Sequence, residues 1–141
     1  MKQSFVLCLF VLLVGCSKST TNTSQSGGGS PSQAGGDRPS VAYVTTGVAS
    51  FWVIAESGVK QGGQDFDAHV EVLMPAEGIG DQKRMIEDLL TKGVDGIAVS
   101  PIDPINQTEL LNKAAKYTHL ITHDSDAPDA NRECYIGMDN Y

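Results

Sequence analysis

The sequence is short of clustered positive charge, of long apolar runs and of paired cysteines, and each shortage removes a class of function. Ten Lys and Arg stand against seventeen Asp and Glu, giving a formal net charge of −7, and the longest basic run is Lys83-Arg84, with acids following at Glu87 and Asp88. Binding a phosphate backbone draws on clustered Lys and Arg, so no nucleic-acid partner is expected. The longest apolar run, Phe5 to Val14, falls well below the roughly 20 apolar residues that a membrane-crossing helix needs. No Gly-x-Gly-x-x-Gly opens a helix to cradle a dinucleotide, and no Gly-x-Ser-x-Gly elbow exposes a nucleophile. His69, His119, His123 and Cys134 lack metal-ligand spacing. Enzyme, cofactor and metal are therefore not expected. Three cysteines make a poor disulfide framework, and their positions explain the odd count. Cys8 lies inside the apolar run, Cys16 closes it, and Cys134 stands alone near the end.

What is present begins with an export signal. Lys2 precedes the Phe5–Val14 run, which has the size of a signal-peptide apolar region. Leu13-Val14-Gly15-Cys16 is similar to a bacterial lipobox, in which a small residue directly precedes a cysteine that receives a thioether-linked lipid. Residues 1–15 are thus expected to be a signal peptide and Cys16 a lipidation site that holds the chain at a membrane. Residues 16–40 then form a Ser-, Thr-, Gly-, Asn- and Gln-rich segment containing Gly27-Gly28-Gly29-Ser30. Such a segment cannot bury enough apolar surface to offset its ordering entropy and reads as a linker.

From Val41 the pattern changes, and residues 41–141 are expected to be one folded unit. Short apolar strands at Val41–Val44, Val70–Met74, Ile97–Val99, Leu120–Thr122 and Tyr135–Gly137 alternate with amphipathic stretches. Helices are expected over Phe51–Phe66, over Asp81–Lys92 with Gly93 ending it, and from Asp103-Pro104 through a face carrying Leu110, Leu111, Ala114 and Ala115. Apolar strands alternating with helices predict an α/β fold, a parallel sheet with helices on both faces. Ligands of such open sheets bind outside the carboxyl ends of the strands.

That rule selects the loops to inspect. Phe51 and Trp52 stand side by side after the first strand. One of two adjacent residues at a helix start is expected to pack inward, and the other to offer an aromatic face to the apolar side of a sugar ring. His123-Asp124-Ser125-Asp126 follows the fourth strand, and a carboxylate there can accept from two neighbouring hydroxyls. Asp124 is the favoured acceptor and Asp126 the second candidate. Asp103 has a competing role as a helix cap, and Asn140 and Asp139 follow the fifth strand.

Several segments together resemble the N-terminal lobe of a periplasmic sugar-binding protein of an ABC transporter, of the ribose-binding type. They are Val41–Val44 leading to Ser50-Phe51-Trp52, Gln82–Leu90 with Lys92-Gly93-Val94-Asp95-Gly96, Ser100–Asp103, Thr122–Asp126 and Tyr135–Asn140. The resemblance implies a monosaccharide held between two lobes and delivered to a membrane permease, with Phe51 and Trp52 as the aromatic pair and Asp124 as the fourth-strand aspartate. Two departures accompany it. The family often has an arginine directly after that aspartate, where this chain has Ser125, and the family's second lobe has no counterpart before Tyr141. One lobe is therefore expected to bind sugar poorly by itself. A tethered receptor that hands its sugar to a signalling partner such as a sensor kinase would carry the same lobe. A sugar-responsive repressor would need a basic DNA-binding segment, where residues 1–40 carry an export signal instead.

Overall fold

A computed structural model describes residues 38–138. The expected signal, Cys16 and nearly all of the linker lie outside the described residues, as do Asp139, Asn140 and Tyr141.

Among the described residues five strands form one wholly parallel sheet: β1 (Ser40–Val44), β2 (His69–Leu73), β3 (Gly96–Val99), β4 (His119–His123) and β5 (Cys134–Ile136), in the spatial order β2-β1-β3-β4-β5. Three helices connect them: α1 (Ser50–Asp65), α2 (Ile79–Lys92) and α3 (Thr108–Ala114). The order reverses at β1, because β2 lies on one side of it and β3 on the other, so the crossovers must cover opposite faces.

The register shows how alternate residues serve the two faces. Ala42, Ile97 and Leu120 are aligned across the sheet, as are Val44, Val99 and Thr122. All but the buried, polar Thr122 are aliphatic and pack with Ile86 and Leu89 of α2 and Leu111 and Ala114 of α3 in one core. Burying a side chain of Ile or Leu size contributes about 1.5–3 kcal/mol, and this face holds most of the apolar burial. The other face carries Val41, Tyr43, Val70 and Val72 beneath α1. Gly63 lets α1 settle onto β2, since a Cβ there would lie 2.8 Å from both Val70 methyl groups.

Helix ends follow local chemistry. Gly93 takes a left-handed conformation, φ 73°, and its N–H bonds the carbonyls of Leu89 and Leu90, so α2 stops where a glycine can turn back. The third helix differs from expectation. Asp103-Pro104 opens a separate turn, and α3 begins only at Thr108. The reason is Gln107, whose buried side-chain Oε1 accepts the Asp103 N–H at 2.9 Å while its Nε2 donates to Gln82. Those bonds fold the chain back on itself before the helix can propagate.

Candidate functional site

The carboxyl ends of β1 and β3 are tied together by one amide. Gln82, buried on α2, donates through Nε2 to the carbonyls of Thr45 and Ser100, both at 2.8 Å. Its Oε1 accepts from the Ile102 N–H at 3.2 Å and from Gln107 Nε2 at 2.8 Å. Both donors and both lone pairs are used, so the group is buried without an unmet bond. Asp81 beside it reaches back to the loop after β2, accepting from the N–H groups of Ala76 and Glu77 and pairing with Arg84.

An aromatic wall rises from this platform. Tyr43 stacks on His123 with ring centroids 4.0 Å apart and planes 14° from parallel. In the register Ala98 of β3 lies between Tyr43 and Ile121, and its small methyl leaves room for the Tyr43 ring to reach His123, two residues beyond Ile121 on the same face. Trp52 stands edge-on to both, 5.8 Å from His123 and 6.4 Å from Tyr43, and Phe51 packs edge-on to Trp52 at 4.7 Å. The two neighbours from the sequence divide their roles. Trp52 is 5% exposed and packs; Phe51 is 59% exposed and projects. A stacking role for Trp52 is thereby corrected, because its indole has no open face.

Burial pushes the His123 imidazole down to about 4, and its Nε2 has no hydrogen-bond partner among the described residues. It is therefore a neutral ring at neutral pH. Burial, and then the charge of Asp124, raise the Tyr43 hydroxyl, which stays protonated.

The candidate carboxylates separate in the same way. Asp124 is exposed and adopts φ 59°, the left-handed region that few non-glycine residues occupy. Ser100 Oγ donates to its Oδ2 at 3.3 Å, and the rest of the carboxylate faces outward. Asp126 does not serve as a free acceptor. Arg132 Nε and Nη2 bond its two oxygens at 2.5 and 2.7 Å, and Thr122 Oγ1 adds a bond of 2.7 Å. The Arg132 pairing holds it down at about 2. Asp103 is likewise occupied. Its oxygens accept from the Asn106 N–H at 3.1 Å and Nδ2 at 2.6 Å, which lowers its pKa. Asn140 lies outside the described residues. Of the candidates, Phe51 and Asp124 are thus presented at the strand ends, linked through Trp52 and His123. Ser100, Gln82 and Tyr43 complete the arrangement. A small hydroxyl at the end of β3, level with the aspartate turn after β4, was the signal for Ser100.

A second concavity lies elsewhere. A groove of about 380 Å³ runs beside α1 over the amino-terminal half of the sheet, lined by Val41, Val59, Phe66, Val70 and Ile121 among others. Its lining is almost entirely apolar and offers no converging acceptors for hydroxyl groups, whereas the strand ends do. Among the described residues no group of three His, Cys, Asp or Glu side chains could hold a metal ion.

A family profile described as a periplasmic binding protein domain matches residues 40–141. The chain belongs to the periplasmic binding protein family. Among solved structures it is similar to an ABC transporter solute-binding protein from Burkholderia graminis, in complex with D-arabinose, at 29% identity and a TM-score of 0.69. That match covers 72% of this chain and 36% of the other. A sugar-binding protein of a sugar ABC transporter from Bacillus halodurans is 26% identical, with a TM-score of 0.67, over 74% of this chain and 37% of that one. The glucose-galactose binding protein GanP from Geobacillus stearothermophilus, 24% identical with a TM-score of 0.70 over 75% and 39%, shares the fold. No curated protein matches. The chain spans well under half the length of these binding proteins and corresponds to their amino-terminal lobe.

Proposed function

We propose that this chain is the amino-terminal lobe of a substrate-binding lipoprotein that captures a monosaccharide for import by a carbohydrate ABC transporter. Phe51 supplies the apolar face and Asp124 the hydroxyl acceptor. The observation that supports this most is the pairing of one projecting aromatic ring with one free carboxylate, on a fully bonded platform at the strand ends. The D-arabinose complex of the Burkholderia graminis relative supports a monosaccharide as the ligand. The same arrangement supports binding rather than catalysis. Asp124 sits against an already buried serine, and its outward oxygens suit an acceptor of sugar hydroxyls. Lipidation at Cys16 and delivery to a permease rest on the lipobox and on the family.

Titration against a panel of pentoses and hexoses tests the site. Asp124→Ala and Phe51→Ala are each expected to weaken the bound sugar by more than tenfold, roughly 1.4 kcal/mol. Unchanged affinity in both variants would place the site elsewhere. Mass spectrometry of the membrane-extracted protein is expected to find an acylated amino-terminal cysteine, and a mature protein starting at any residue other than Cys16 rules the anchor out.

A further inference from the structure

The left-handed turn at Asp124 is held from three sides. Its N–H donates to the Ile136 carbonyl at 3.0 Å, extending the β4–β5 ladder one residue past His123. Ser100 Oγ donates to its carboxylate and accepts the N–H of Ser125, both at 3.3 Å. On the third side Tyr135 OH donates to the Asp124 backbone carbonyl at 2.9 Å. This last contact is not needed for packing. Tyr135 is 36% exposed, and water could satisfy its hydroxyl at no cost to the core.

The tyrosine reaches that carbonyl by lying across Gly137. A Cβ at Gly137 would fall within the space of the Tyr135 phenol, so only glycine permits the pose. Gly137 is exposed and its φ is outside the left-handed region. Neither backbone conformation nor burial explains a glycine there; the ring above it does.

We propose that Tyr135 and Gly137 are positioning residues for sugar binding, a latch that fixes the Asp124 turn and so aims its carboxylate before the ligand arrives. The latch rests on the monosaccharide reading of the site. Non-glycine residues leave the left-handed region readily when nothing holds them there. A peptide rotation at Asp124 would swing the carboxylate away from Ser100. Fixing the acceptor in advance lowers the ordering cost of binding.

The test uses the full chain and four variants, Tyr135→Phe, Gly137→Ala, Asp124→Ala and the double variant Tyr135→Phe/Asp124→Ala. D-arabinose, D-glucose and D-galactose are titrated to high millimolar concentration and followed by NMR, with amide hydrogen exchange recorded in parallel. Tyr135→Phe and Gly137→Ala are each expected to weaken the preferred sugar about fivefold, the scale of one hydrogen bond. They should also accelerate exchange at Asp124 and Ser125 while leaving the core amides unchanged. In the Asp124→Ala background Tyr135→Phe is expected to add nothing, because the latch acts only through that carboxylate; a purely structural tyrosine would weaken binding again. Wild-type affinity and exchange in both latch variants, with binding lost in Asp124→Ala, overturns the latch and leaves the site standing. Wild-type affinity in Asp124→Ala overturns the site itself, and the latch's role in binding with it.

Discussion

The two faces of the sheet are built from alternate residues of the same strands, yet they differ in kind. Ala42, Val44, Ile97, Val99 and Leu120 meet α2 and α3 and are almost wholly buried. One residue along each strand, Val41, Tyr43, Ala98 and Ile121 are only partly covered, and a groove lies open beside α1. The first face is uniform aliphatic packing. The second mixes aliphatic side chains with a stacked tyrosine and histidine and an edge-on tryptophan that lead up to the candidate site. Stability is concentrated on one side and the preparation of the site on the other, which lets a strand satisfy both demands with a period of two.

Substitutions can break that contrast. The largest effect is expected on the closed face, where Leu89→Ala empties a fully buried position between α2 and the sheet. A loss of about 3 kcal/mol in urea unfolding is expected, against less than half of that for Ile121→Ala on the half-covered face. Equal losses would erase the distinction between the faces.

Acid should act next, and through the open face. A histidine of ordinary pKa, 6.5, becomes charged in the unfolded chain while His123, held at about 4 by burial, stays neutral in the fold. As pH falls from 6.5 to 4 the unfolded state binds the proton first, so stability declines across that window, by up to roughly 3 kcal/mol. Above 6.5 His123 adds no pH dependence. His119, raised by Glu133, has the opposite sign: its contribution is complete below 6.5 and fades as pH rises, but the pair is exposed and weak. Asp126, held at about 2, matters only as pH drops below 3.8. Unfolding at pH 7.5 and 4.5 should therefore show a loss in the wild type that His123→Phe, which keeps a ring against Tyr43, largely removes. An equal loss in both proteins would assign the acid sensitivity to other groups.

The smallest expected effect sharpens the division of labour between carboxylates. Arg132→Ala frees Asp126 from its partly exposed pair and is expected to cost only about 1 kcal/mol of stability with sugar affinity unchanged. A loss of affinity comparable to that of Asp124→Ala would mean that Asp126 contacts the ligand after all.

Much of the fold was legible in the sequence because the strands of a parallel sheet crossed by helices announce themselves as apolar runs. All five were placed within a residue or two of their observed ends, and Gly93 marked the end of α2. The start of α3 was not, because Asp103-Pro104 carries a genuine capping signal that serves a separate turn closed by Gln107. Local patterns cannot reveal that a glutamine's side chain will bond backward rather than face water. The site was legible only in part for the same reason. Asp124 and Asp126 look alike in sequence, and what separates them is Arg132, six residues further on. Phe51 and Trp52 were equivalent until the helix phase placed the indole against His123. Gln82 gave no warning at all, since a polar residue standing between Asp81 and Lys83 in a helical stretch usually faces solvent.

Trp52 is the only tryptophan in the chain, and its place beside His123 and Phe51 gives the molecule a built-in optical probe. Its emission comes from one shielded indole and should lie toward the blue, moving to the red only when the lobe opens. A protonated imidazole quenches a neighbouring indole far more than a neutral one, so the intensity near pH 4 should follow the charge of His123 before any unfolding is visible. Sugar settling on Phe51 would disturb the same ring at one remove. Ligand, acid and unfolding would each leave a different mark on a single unlabelled signal.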